Sequence, residues 1–307
     1  MNAVVFAYHN MGICGLEALK EAGFDIAAIF SHEDDPGEKC WFDSVVEWAD
    51  RNHIEVFCPP DVNMPAWKEK VSRLVPDVIF SFYFRHMLSQ DILKIPASGA
   101  YNLHGSLLPA YRGRAPVNWA IINGEKKTGV TLHHMIDKPD AGDIVGQKAV
   151  EIGFEDTTRT LYDKLCVATR EMLAEVLPLI SEGKAPRIPQ DVTKGSYYGG
   201  RRPEDGRIDW NRPAVRIYNL IRAVTDPYPG AFGFLPGAGK ILIWWAFPHE
   251  KRGNDQAPGR IEVEKKDVFV STGDGRLKLV DIEVGGSRRK RDQIFNYFKN
   301  KEGLILT

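Results

Sequence analysis

"AVVFAYHNMGICGLEALKEAGFDIAAIFS", residues 3–31, carries a strand, a helix and a second strand in one stretch. Residues 3–8 are a short β-branched run, 15–23 have helical spacing closed by Gly23, and 25–31 are apolar again. Both strands are apolar throughout instead of alternating, as strands are when helices cover both faces of their sheet. A helix between them makes the pair parallel. The alternation continues: 41–52 is amphipathic, 54–58 a strand, 64–75 helical, and 77–84, "DVIFSFYF", a strand. The expected fold is α/β, a Rossmann-like, mostly parallel sheet with helices on both faces. Ligands of such sheets bind beyond the carboxyl ends of the strands. Residues 99–106 form such an end, and a site is expected there.

The second half reads differently. Residues 128–136 and 143–152 are two more strands, the second expected to pair with the first, and 157–183 is a long helix closed by Gly183. A polar stretch at 184–207 breaks the periodicity with Pro and Gly, as a linker does. After a helix at 213–224, short strands separated by Gly-rich turns suggest a small OB-like β-barrel. The expected division is a catalytic domain over 1–188, a linker over 189–206 and the barrel over 207–307.

Composition narrows the function. The chain has 307 residues, 43 % of them hydrophobic and 26 % charged, with a net charge of −1. That balance argues against a protein built mainly to hold nucleic acid, which shows a basic excess. No apolar run approaches the roughly 20 residues that span a bilayer, and the N-terminus lacks the basic lead-in of a signal peptide. The four cysteines, Cys14, Cys40, Cys58 and Cys166, lie far apart without a CxxC pair. A reduced cytoplasmic setting suits them better than a disulfide or zinc framework.

Several chemistries fail on spacing. The turn after the first strand, "YHNMGICG", is not GxGxxG, so His9 and Gly12 are read as turn residues. Ser106 lies near His104 but no GxSxG elbow holds it. His133 and His134 are adjacent, point to opposite faces of a strand, and are read as ordinary core or surface histidines. Asn102 and His104 in "YNLHGSLLPAYRGRAP" (101–116) resist such a reading, because i and i+2 share a strand face. Left unpaired, each would cost roughly 1–3 kcal/mol. A carboxylate from the loop "DKPDAGDIV" (137–145), Asp137, Asp140 or Asp143, could satisfy the imidazole and hold it cationic near neutral pH. Amide, imidazole and carboxylate together make an apparatus for acyl transfer. From spacing alone, a purely structural polar cluster is an equal reading.

"NLHGSLLPAYRGRAPVNWAIINGE" with "TGVTLHHMIDKPDAGDIV" resembles the 10-formyltetrahydrofolate-dependent formyltransferases. These include methionyl-tRNA formyltransferase and the nucleotide-sugar N-formyltransferases. The likeness extends to "DPYPGAF" (226–232), and "VVFAYHNMG", "DDPGEK", "DVIFSFYFRH" and "YGGRRPEDG" resemble the enzymes that formylate UDP-4-amino-4-deoxy-L-arabinose. Bifunctional members of that subgroup carry a decarboxylase domain as well, so these residues are read either as a free-standing enzyme or as one domain of a longer chain. The resemblance implies that Asn102 stabilises the transition state, His104 transfers the proton and Asp140 raises the pKa of His104. It implies formylfolate held by His86, Met87, Leu88, Arg114 and the segment Ile136, Asp137, Lys138, Pro139 and Asp140. Arg112, Arg201 and Arg202 are candidates for the substrate. A sugar amine would attack the formyl carbon directly, with 10-formyltetrahydrofolate as co-substrate and without a metal. A homo-oligomer is compatible with this reading.

The rival within the family acts on methionyl-tRNA. Its members carry a basic loop after the second strand, whereas "SHEDDPGEKCW" (31–41) holds four acids and one lysine. Phosphates would be repelled there. The counterweight is "SRRKRDQIFNYFKNK" (287–301), read as a solvated helix face packed through Ile294, Tyr297 and Phe298. A third reading, from another class, is a folate-binding module without turnover, against which Asn102, His104 and Asp140 all speak.

Overall fold

The computed structural model describes residues 1–34, 40–250 and 256–307. It opens with β1 (Asn2–Ala7), α1 (His9–Glu21), β2 (Asp25–Phe30), α2 (Val45–Arg51), β3 (Val56–Phe57), α3 (Pro65–Arg73), β4 (Val78–Phe82), α4 (Gln90–Leu93) and β5 (Ala100–His104). Next come β6 (Arg112–Gly113), α5 (Pro116–Asn123), β7 (Lys127–His134), β8 (Ile144–Glu151), α6 (Thr158–Ser181) and β9 (Tyr197–Tyr198). The rest comprises α7 (Ala214–Val224), β10 (Ala231–Leu235), β11 (Gly239–His249), β12 (Ile261–Glu264), β13 (Asp267–Ser271), β14 (Arg276–Val284), β15 (Ser287–Lys290) and α8 (Asp292–Phe298). By proximity the residues group into two compact units. One gathers Met1–Pro116, Lys127–Glu151 and Tyr162–Gly199; the other gathers Val117–Lys126, Ile152–Leu161 and Gly200–Thr307.

The first unit holds a seven-stranded sheet in the order β3-β2-β1-β4-β5-β7-β8. β1 to β5 run parallel, and β7 and β8 close the sheet antiparallel. The order reverses between β1 and β4, and a cleft opens one strand further on, at the ends of β4 and β5. Strand burial explains the apolar runs: Val4, Val5, Phe6, Ile79, Phe80 and Phe82 have no exposed surface. α1 lies so close to the sheet that a Cβ on Gly15 would sit 2.2 Å from the Phe82 ring. The helix also begins earlier than its apolar spacing predicts. His9 and Gly12 belong to its first turns, not to a loop, and a Cβ on Gly12 would meet Ala7 at 3.2 Å. Those glycines serve close packing rather than a turn.

The second unit carries the expected C-terminal antiparallel β domain, ordered β10-β11-β14-β13-β12 with β15 added to β14. Here the basic run departs from expectation. Ser287–Lys290 is a strand, and only Asp292–Phe298 is helical. The acidic partner strand explains the change. Arg288 stands opposite Glu283 in register and clasps Asp281 with two bonds of 2.8 and 2.9 Å, while Lys290 reaches the same carboxylate at 3.0 Å. α8 does pack through Ile294 and Phe298, both buried.

The stretch expected to be a linker is structured, with β9 in its middle and a short 3-10 turn at Pro203–Gly206. β9 pairs with β6, and the backbone N–H groups of Arg112 and Arg114 donate to the carbonyls of Ser196 and Tyr198, each at 2.9 Å. Of the acidic stretch Glu33 to Glu38, residues 35–38 lie outside the described residues. Asp34 accepts a hydrogen bond from the Tyr8 hydroxyl at 3.0 Å. No described helix is long and apolar enough to cross a membrane.

Candidate active site

A cleft of about 350 Å³ opens at the ends of β4 and β5. Asn102 and His104 enter it from the last residues of β5, and Asp140 from the loop after β7. Three segments distant in sequence thus meet. Asp140 Oδ1 lies 3.4 Å from His104 Nδ1, 3.4 Å from Asn102 Nδ2 and 3.5 Å from His133 Nε2.

The carboxylate is held from several sides. The Gly113 N–H donates to Oδ2 at 2.8 Å, and the Gln190 amide donates to the Asp140 carbonyl at 3.2 Å. Asp140 adopts φ +50°, a left-handed conformation that Asp tolerates better than most residues. Gly113 has φ +95°, and a Cβ there would lie 2.2 Å from the Tyr198 carbonyl oxygen. Only glycine lets β6 lie against β9 and offer its N–H to Asp140.

His104 is fully buried and its Nε2 donates to the Tyr111 carbonyl at 2.7 Å. A carbonyl only accepts, so Nε2 carries the proton and Nδ1 faces Asp140. Burial pushes the imidazole below the ordinary histidine range, and it outweighs the upward pull of Asp140 and of the Tyr111 carbonyl. The direction runs against a standing imidazolium and toward a neutral resting ring, although Asp140 pulls the other way, as expected. Burial raises Asp140, but the His104 imidazole, with the Gly113 N–H beside it, draws it down to about 2. The two groups are coupled, because the imidazole lowers Asp140 most when protonated. The resting pair is therefore a neutral ring beside a carboxylate, ready to take up a proton between them.

His86, Met87, Leu88, Arg114 and Ile136 line the same cleft, as do Lys138 and Pro139. Asp137 is exposed and Arg112 lies in β6; neither is among the lining residues. Asn63, which the sequence did not single out, braces this wall, donating to the Met87 carbonyl (2.9 Å) and accepting from Ser89 N–H (2.7 Å). Met87 and Ile136 are 55 % and 40 % exposed at the rim, apolar surface that a flat heteroaromatic ring would cover. In the other unit, Arg201 lays its guanidinium over the Trp119 ring at 4.7 Å and donates to the Asp205 carbonyl at 2.8 Å, and Arg202 is exposed.

His133, read from the sequence as an ordinary core or surface histidine, is a core residue that also lines the cleft. It is buried in β7 opposite Asn102, and its Nε2 lies 3.1 Å from the Asn102 amide nitrogen. Only the register of β5 against β7 reveals this. His134 points the other way, its ring 4.7 Å from that of Tyr101.

This doubly wound sheet with an amide, an imidazole and a carboxylate at its crevice defines a group-transfer enzyme. Two family models match the chain: "Formyl transferase" over residues 1–177 and "Formyl transferase, C-terminal domain" over residues 201–298. The chain belongs to the formyltransferase family and is an enzyme of formyl-group transfer. Among solved structures it is similar to the N-formyltransferase of Helicobacter canadensis in complex with folinic acid and dTDP-3-aminofucose. Identity there is 21 %, TM-score 0.68, with 91 % of this chain and 98 % of that one covered. WlaRD, a sugar 3N-formyltransferase seen with dTDP and 5-N-formyl-THF, matches at 19 % identity and TM-score 0.67, covering 91 % and 97 %. Phosphoribosylglycinamide formyltransferase from Bacillus halodurans matches at 25 % identity and TM-score 0.51, covering 59 % of this chain and 96 % of that one.

Proposed function

We propose that the protein transfers the formyl group of 10-formyltetrahydrofolate to the amine of a nucleotide-linked 4-amino sugar, with UDP-4-amino-4-deoxy-L-arabinose as the substrate. The observation that carries the reaction is the bracketing of Asn102, His104 and His133 by the Asp140 carboxylate at the mouth of one cleft. A sugar amine as acceptor is supported by two structures that share this fold, one with folinic acid and dTDP-3-aminofucose, the other with dTDP and 5-N-formyl-THF. Its identity follows the likeness to the formyltransferase domain of the bifunctional polymyxin-resistance protein, in the segments 4–12, 34–39 and 77–86 and at "YGGRRPEDG" (198–206). Residues 1–188 are proposed as the catalytic domain and 207–307 as its C-terminal partner.

When bound, 10-formyltetrahydrofolate supplies the electrophilic carbon and a leaving group. His104 accepts the proton that the attacking amine sheds, and Asp140 stabilises the imidazolium as it forms. Asn102 then offers its N–H to the charge developing on the formyl oxygen. The proton passes from His104 toward the departing nitrogen, so acid and base are the same ring used twice. Burial of the ring supports this order, since a neutral imidazole can begin as a base. His86 to Leu88, Arg114 and Ile136 to Asp140 are proposed to hold the folate, and Arg112, Arg201 and Arg202 to meet the anionic parts of the ligands. Unchanged Michaelis constants in Arg201→Met and Arg202→Met would remove those two from the substrate.

A panel of nucleotide-linked amino sugars, assayed for release of tetrahydrofolate, tests the reading. Turnover should be greatest with a UDP-linked 4-amino sugar. Preference for a dTDP-linked 3-amino sugar would overturn the substrate and leave the reaction intact, whereas formylfolate binding without turnover on any amine would leave a binding module.

A further inference from the structure

The Asn102 amide makes two contacts through one nitrogen: 3.1 Å to His133 Nε2 and 3.4 Å to Asp140 Oδ1. An amide nitrogen has no lone pair to offer, so at the shorter contact His133 Nε2 must be the acceptor and therefore bare. The other ring nitrogen agrees: Nδ1 lies 2.9 Å from the His134 carbonyl oxygen, which can only accept, so the proton sits on Nδ1. Asp140, ionised and next to the same amide, would repel an amide oxygen turned its way. The imidazole and the carboxylate thus choose the same end of the amide.

We propose that His133 is a positioning residue for formyl transfer, taking one N–H of the Asn102 amide so that the other stays on the side of Asp140 and His104. This rests on the formyl-transfer reading above and deepens it. Backbone pairing fixes where Asn102 and His133 start, since their Cα atoms are partners across β5 and β7. It does not fix the terminal amide torsion, which is broad and nearly two-fold. A flipped amide would present oxygen to the developing negative charge and remove the stabilisation. The bonded Nε2 prevents that flip from a fully protein-lined position, because His133 is itself 2 % exposed and its far side is tied to the His134 carbonyl.

The test pairs His133→Leu, which keeps bulk and removes the acceptor, with His133→Gln, which restores an acceptor oxygen. His133→Leu should lower kcat by about tenfold or more, with the KM for formylfolate unchanged. His133→Gln should recover most of the loss, and His133→Leu should cost nothing further in an Asn102→Ala background. Near-wild-type kcat in His133→Leu, or equal loss in both variants, overturns the proposal. So does full additivity with Asn102→Ala, which marks a packing role. Should His133→Leu fail to fold, His133→Gln decides: kcat close to wild type supports the acceptor role, and a loss as large as that of Asn102→Ala overturns it. A readout free of any substrate separates this from the choice of sugar. The side-chain amide resonances of Asn102 should move in the His133 variants of the unliganded protein, and unmoved resonances overturn the proposal whatever the enzyme formylates.

Discussion

At the scale of single residues, the proposed mechanism turns on one coupled pair. His104 is pushed below the ordinary histidine range by burial while Asp140 pulls it back up. Removing the carboxylate in Asp140→Asn should therefore lower the His104 value further. Titration of the His104 ring by NMR measures it, and a value at or above the ordinary 6.5 in the wild type would contradict the neutral resting ring. The sign for stability follows. A histidine depressed on folding contributes stability that is whole above its ordinary value and is lost as pH falls through the lower folded one. Asp140, depressed to about 2, likewise contributes above the ordinary carboxylate value and loses its share as pH falls through about 2. His104→Ala and Asp140→Ala should each reduce kcat by about a hundredfold or more, with formylfolate binding largely kept. Near-wild-type turnover in either would remove that residue from the chemistry.

At the scale of elements, a two-residue strand carries more than its length suggests. β6 supplies the Gly113 N–H to Asp140, and the turn before it supplies the Tyr111 carbonyl to His104. β9 keeps β6 in place, and the Tyr111 and Tyr198 rings stack at 5.1 Å between centroids. Gly113→Ala should therefore hurt twice. Its Cβ would collide with the Tyr198 carbonyl, and a positive φ costs alanine about 1–3 kcal/mol. The expected outcome is a lower unfolding midpoint and a fall in kcat greater than any change in formylfolate affinity. A variant that loses stability but keeps kcat would show that the Gly113 bond to Asp140 is dispensable.

At the scale of the whole molecule, the charge balance bears on the proposed substrate class. The net charge is −1, and the cations of the basic run are largely committed to their own sheet. Arg288 and Lys290 share Asp281, while Arg289 donates to the Val284 carbonyl at 3.0 Å and lies over the Tyr297 ring. Asp281 partly neutralises Arg288 and Lys290, so this run offers phosphates less positive charge than its count of cations suggests. Formylation of methionyl-tRNA should be negligible beside that of a nucleotide-linked amino sugar at physiological salt. Comparable rates measured side by side would mean that the substrate class is wrong while the reaction stands.

Much of this was open to reading along the chain. The strands of the parallel sheet, the pairing of β8 with β7, the helix at α6 and the C-terminal β strands all follow from apolar periodicity, which depends only on near neighbours in sequence. Asn102 and His104 stood out for the same reason, as polar side chains two apart at the end of an apolar strand. Tertiary structure alone decided the rest. α1 lies directly on the sheet because Gly12 and Gly15 leave room for Ala7 and the Phe82 ring. His133 joined the site only through the register of β5 against β7, and Gly113 only through the pairing of β6 with β9. Such registers are set by contacts between residues 20 to 90 positions apart, and local patterns carry no record of them.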